Sequence, residues 1–184
     1  MKTRFIMLFL LAALFFLSIG CIGEKTSYVE KAGPGYNRYY DTMGGFSIEY
    51  PESWNYDDTI SIISEGYNVV FSDPQTGARM GIFSEPLNDR DFDELARKEL
   101  APPEEMSAVF NPGSFGNFRA YENFYEYEMD GVSYYGEGVI FTDNSSVFGI
   151  SQTCKVDDRP TLASTFEYMR NSFRVETPSD QLND

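Results

Sequence analysis

Between Phe118 and Val156 the chain sets out three long strand-like segments with almost nothing between them. Phe118 to Met129 ends at Asp130-Gly131, Val132 to Thr142 ends at Asp143-Asn144-Ser145-Ser146, and Val147 to Val156 follows. Asp-Gly is a strong hairpin signal, because glycine accepts the positive φ that a two-residue turn demands. Connections this short allow only antiparallel neighbours, since a parallel return needs a long crossover. The second half of the chain is thus an antiparallel meander. On its third segment Phe148, Ile150, Cys154 and Val156 share a face. Cys154 therefore reads as a small buried apolar residue, with a reactive free thiol as the other reading.

Upstream, Phe46-Ser47-Ile48-Glu49-Tyr50 alternates apolar and polar and stops at Pro51, the pattern of a half-buried strand. Ile60 to Ser64 and Val69 to Ser72 read as the next strands, Asp73-Pro74-Gln75-Thr76-Gly77 as a turn, and Arg79 to Ser84 as the return. Asp91-Phe92-Asp93-Glu94 opens a helix as a capping box. Its apolar face is Phe92, Leu95 and Ala96, and Pro102-Pro103 stop it. Pro160 opens a second helix, with Leu162, Phe166, Met169 and Phe173 at helical spacing. The expected class is α+β, a mostly antiparallel β-sheet flanked by helices. A chain of 184 residues, 42% hydrophobic and 16% aromatic, holds enough core material for one such domain.

The N-terminus reads as an address. Lys2 and Arg4 precede an unbroken apolar run from Phe5 to Leu17, too short for a comfortable span but suited to a signal peptide. Gly20-Cys21 follows as a lipobox-like junction, whose thiol forms the thioether to a lipid and becomes the mature N-terminus. Ordinary cleaved secretion and an uncleaved anchor are the other readings, and all three export the domain. The chain divides into a signal peptide (1–20), a lipid-anchored tether (21–42), a domain (43–175) and a disordered acidic tail (176–184). Tyr28, Tyr36, Tyr39 and Tyr40 are expected to pack against the domain, with a place at the membrane interface as the other reading. With Cys21 used by the anchor, Cys154 has no disulfide partner.

Fourteen Lys and Arg face 29 Asp and Glu, a formal charge of −15. Removing residues 1–20 takes away Lys2 and Arg4, leaving 12 basic against 29 acidic residues and a charge of −17. Such a surface repels phosphate backbones, so no nucleic-acid partner is expected. The chain contains no His, which excludes Ser-His-Asp and Cys-His catalysis and every His-containing zinc site.

Five features remain. Asp89, Asp91, Asp93 and Glu94 alternate like a calcium loop, but the sixth position is Glu94 instead of Gly and the twelfth is Leu100 instead of Glu, so helix capping accounts for them and metal is the weaker alternative. Glu122, Glu126 and Glu128 share a strand face, with Glu137 on the hairpin partner. Two such carboxylates at the right separation could hydrolyse a glycoside, but exposed strand faces carry such charges routinely. Tyr121, Tyr125, Tyr127 and Tyr135 belong to an aromatic hairpin that is a binding surface if uncovered and ordinary packing if helices cover both faces. Trp54 reads as a plug at the sheet edge with Tyr50 pointing its hydroxyl outward, and stacking on a sugar or peptide is the other reading. Asn144-Ser145-Ser146 is a glycosylation sequon in a turn.

The opening Gly45-Phe46-Ser47-Ile48-Glu49-Tyr50-Pro51-Glu52-Ser53-Trp54 resembles the signature of the PsbP-like family, a strand ending in Tyr-Pro followed by Trp. The helix from Phe166 to Met169 running into Asn171-Ser172-Phe173 resembles that family's C-terminal end, and the likeness covers about Met43 to Val175. The Gly-Cys-Ile-Gly junction is similar to that of archaeal lipoproteins. The resemblance implies an α/β/α sandwich and a noncatalytic protein binder, as in an extrinsic photosystem II subunit and a yeast relative that binds the GTPase Ran. Neither partner transfers, and the metal-binding His residues of photosynthetic members have no counterpart here. The expectation is a lipid-anchored noncatalytic binding module without a cofactor, on the outer face of the cytoplasmic membrane, serving an envelope protein. A small-ligand or cation-binding lipoprotein is the alternative, ahead of a carboxylate hydrolase.

Overall fold

The computed structural model describes residues 27–59, 66–100 and 109–176. The signal segment, Cys21, the strand read at Ile60 to Ser64, Pro102-Pro103 and the tail beyond Glu176 lie outside the described residues. The meander forms as its turns require. Strands β8 (Phe118–Met129), β9 (Val132–Thr142) and β10 (Ser146–Lys155) pair antiparallel in succession. Asp130 and Gly131 both carry positive φ, 53° and 74°, as a two-residue hairpin needs.

Four more strands extend this sheet on both sides: β4 (Asn55–Asp57), β5 (Val69–Ser72), β6 (Arg79–Pro86) and β7 (Val109–Phe115). The order is β4-β5-β6-β10-β9-β8-β7. Strand β7 was not legible as one because it carries Pro112 and Gly113. It tolerates them as an edge strand, paired only with β8.

A second sheet corrects the tether reading of residues 21–42. From Ser27 the chain is already in the domain: β1 (Ser27–Gly33) and β2 (Tyr36–Asp41) make a hairpin that continues to β3 (Phe46–Pro51), and β11 (Arg174–Val175) closes the other edge. Gly33-Pro34-Gly35, which breaks regular structure in the sequence, is the turn of that hairpin, with Gly35 at φ 81°. Of the four tyrosines, Tyr39 is fully buried and Tyr36 and Tyr40 are half-buried, whereas Tyr28 is 45% exposed and stacks on Tyr40.

The inner face of the small sheet (Tyr39, Phe46, Ile48, Tyr50) packs on the large sheet through Phe71, Met80, Ile82, Phe141 and Phe148. Helix α2 (Arg159–Ser172), entered through a 3-10 turn at Val156–Asp158, adds Leu162, Phe166 and Met169 to the same core. Trp54 closes the core edge-on against Phe166, centroids 5.8 Å apart. Tyr50 departs from expectation: it is buried, its ring 4.8 Å from Phe71, because β3 turns it inward with Phe46 and Ile48. Each large apolar side chain so buried contributes about 1.5–3 kcal/mol.

The opposite face of the large sheet carries helix α1 (Phe92–Glu99), whose Phe92, Leu95 and Ala96 pack on Tyr121, Ile140 and Val147. Asp91 caps it, its side chain accepting from the backbone N–H groups of Asp93 (2.8 Å) and Glu94 (3.0 Å). The result is the expected α+β fold with helices on both faces of a mostly antiparallel sheet. Among the described residues no helix is long and apolar enough to cross a membrane.

Candidate functional site

Helix α2 buries one stripe and leaves the next facing a cleft of about 810 Å³. The helical wall is Arg159, Ala163, Glu167, Arg170 and Asn171. The far end is the β7–β8 turn, Ser114 to Phe118, and the floor is Phe115, Phe166 and Phe173. The remaining wall is two cross-strand pairs on one face of the meander, Glu137 opposite Gln152 and Tyr135 opposite Cys154.

Arg170 is the centre of the wall. Its guanidinium bridges Glu122 on β8 (2.9 Å) and Glu137 on β9, fastening the helix to the sheet. Glu137 also accepts from the Gln152 amide (2.8 Å) and the Tyr135 hydroxyl (3.1 Å), so both its oxygens are engaged. Burial, reinforced by the Glu137 charge, pushes the Tyr135 hydroxyl up to about 12. Burial and then Asp158 raise the Cys154 thiol, which stays protonated and inert at neutral pH. The Arg159 guanidinium stacks 3.7 Å from the Tyr135 ring centroid. Gln152 is only 7% exposed, and its Oε1 has no hydrogen-bond donor.

The four tyrosines read as one surface are divided between two faces. Tyr121, Tyr125 and Tyr127 lie on the α1 face, whereas Tyr135 lies in the α2 cleft. Tyr121 is buried beneath α1 and donates to Asp93 (2.7 Å). Tyr125 lies over Gly136, and Tyr127 stacks on Tyr134 with centroids 5.3 Å apart. Of the acidic cluster, Asp91 is spent on the cap, and Asp93 is held low by the Tyr121 hydroxyl and by Arg119. Asp89 lies in an exposed turn. Among the described residues no three acidic or thiol groups are set to hold a metal ion. Asn144 is exposed, at φ 76°. Sequence reasoning missed Arg159, Arg170 and Gln152. The available signal was Gln152 itself, a polar residue between Ile150 and Cys154 on an otherwise apolar strand face.

The layers and strand order define the class as a PsbP-like α/β/α sandwich. In particular, the chain is similar to the solution structure of cyanobacterial PsbP (CyanoP) from Synechocystis sp. PCC 6803, at 18% identity and TM-score 0.57 over 85% of this chain and 96% of that one. It is also similar to LpqN, involved in cell envelope biogenesis of Mycobacterium tuberculosis, at 12% identity and TM-score 0.57 over 83% and 91%. A Bacteroides thetaiotaomicron protein shares the fold at 18% identity and TM-score 0.56, over 77% of this chain and 49% of that one. No protein-family model and no curated protein matches the chain.

Proposed function

We propose that this chain is an exported, lipid-anchored binding module without catalytic activity, accessory to a protein assembly at the outer face of the cytoplasmic membrane. The observation that carries the reading is the α2 cleft. It is large enough for a ligand or peptide, yet Glu137 is fully engaged and Tyr135 and Cys154 both hold their protons. None of these three groups is poised for proton transfer near neutral pH, which supports a binding role for the cleft. Export and anchoring through Cys21 rest on the basic n-region, the apolar run and the Gly20-Cys21 junction, the last of archaeal type. The exposure of Asn144 leaves room for a glycan in the same compartment. LpqN's printed involvement in envelope biogenesis is in keeping with an envelope role.

The test is crosslinking and affinity isolation from the native membranes, with Cys21→Ser as the unanchored control. One stoichiometric partner, lost or reduced without the anchor, supports the function. Repeated absence of any enriched protein overturns it. The cleft also favours a second reading, a small-ligand lipoprotein, which a saturable rise in melting temperature with ligand concentration would establish. The cation form of that reading requires the Asp89, Asp91 and Asp93 segment, and a chelator-reversible stabilisation would be its mark.

A further inference from the structure

We propose that the groove along α2 receives an extended segment of the partner protein, six or seven residues long, apolar in the middle and acidic at both ends. The inference rests on the protein-binding reading above. Fourteen helical residues make a wall about 21 Å long. An extended chain advances about 3.3 Å per residue, so six or seven residues run its length.

The charges fix the polarity of the occupant. Arg170, one turn short of the Arg174 end, is already neutralised by Glu122 and Glu137. The two outer cations are not: among the described residues neither Arg159 nor Arg174 forms an ion pair. Arg159 rests on the Tyr135 ring at one end, and Arg174 at the other donates only to the carbonyls of Asn171 (2.8 Å) and Phe173 (2.7 Å). Two guanidinium groups with no carboxylate at ion-pair distance, at the ends of one groove, suit two carboxylates about a helix length apart. A single-headed amphiphile would satisfy one and leave the other.

The floor of the groove between the two ends is Phe166 with Phe115 and Phe173, which suits apolar side chains, while Glu167 on the wall above it disfavours a third carboxylate there. Beside it stands Gln152 with its amide nitrogen on Glu137 and its oxygen lacking a donor. That oxygen is closed off from solvent, so it shapes the wall and makes no bond to the occupant.

The probe is a phage-displayed random octapeptide library, selected on the solubilised full chain alone, with the enriched peptides then measured on Ala163→Trp. Ala163 is exposed, so the tryptophan blocks the groove without entering the core. The expected peptides place Asp or Glu on either side of an apolar centre. They bind Arg159→Glu at least 10-fold more weakly and lose at least 30-fold to Ala163→Trp, with both variants melting like wild type. Peptides without the acidic flanks, or peptides that bind Ala163→Trp equally well, overturn the proposal. So does saturable binding of dodecanoate with no peptide enriched. If crosslinking recovers an envelope partner that Ala163→Trp does not lose, the groove assignment falls while the binding function stands. If neither peptide nor partner is recovered, both fall.

Discussion

Phe83 lies flat across Gly149, its direct cross-strand partner, so closely that a Cβ on the glycine would stand 1.9 Å from the ring. Tyr125 covers Gly136 in the same way, at 2.3 Å. Aromatic rings thus fill the space left by glycine side chains on the α1 face. Gly149→Ala is expected to cost about 1–3 kcal/mol by overpacking. The same change in a Phe83→Ala background should cost much less, a coupling that urea denaturation of the four-member cycle would reveal. Additive costs would show that the ring yields freely.

Arg170 holds two carboxylates from different strands against α2. Arg170→Met leaves both half-buried and uncompensated, and should destabilise by about 3 kcal/mol, the lower end for a broken buried pair because the site retains some exposure. Adding Glu122→Gln and Glu137→Gln should restore most of the loss. Chemical denaturation midpoints check both steps.

Asp91 belongs to the helix, on the geometry of its hydrogen bonds. Asp91→Ala should cost about 1 kcal/mol, the ordinary value of a lost N-cap. Calcium in excess and EDTA should each leave the wild-type melting temperature where it was. A calcium-dependent rise reversed by EDTA would make the segment a metal site.

The tyrosines predict an alkaline limit. Tyr135 ionises at about 12 in the fold against about 10 unfolded. Burial raises Tyr125 and Tyr127, and burial with the Asp41 and Asp58 charges raises Tyr39 further. The unfolded chain therefore releases these protons first. The stability tied to Tyr135 is complete below pH 10 and is lost as pH rises towards 12. Urea midpoints between pH 9 and 11.5 should fall, with phenolate absorbance appearing as the protein unfolds. Tyr135→Phe should make the fall shallower.

Much of this fold can be read from turns and caps. Asp130-Gly131, Asp143 to Ser146, Asp91 and Pro160 each dictate local geometry through the backbone, and the three long strands and both helices stand where those residues put them. The division of the tyrosines was also readable. A two-residue turn pairs Tyr127 with Tyr134, so Tyr135 must face away from Tyr121, Tyr125 and Tyr127. The first hairpin was not readable, because Tyr36-Asn37-Arg38-Tyr39-Tyr40 carries amphipathic rings on both faces and hides the period of two. The cleft is a tertiary product. Arg159 and Arg170 stand on the helix that follows the strand of Gln152, and only the way α2 folds back on β9 and β10 brings the three to one cleft.

The early start of the small sheet has a mechanical consequence. If the lipid is on Cys21, only Ile22 to Thr26 separate it from β1, a leash of about 20 Å at full stretch. A body tied that short cannot sweep the periplasm or the medium in search of a partner. With that anchor it would patrol the bilayer surface in two dimensions, reaching only what rises within one domain's height of the lipid.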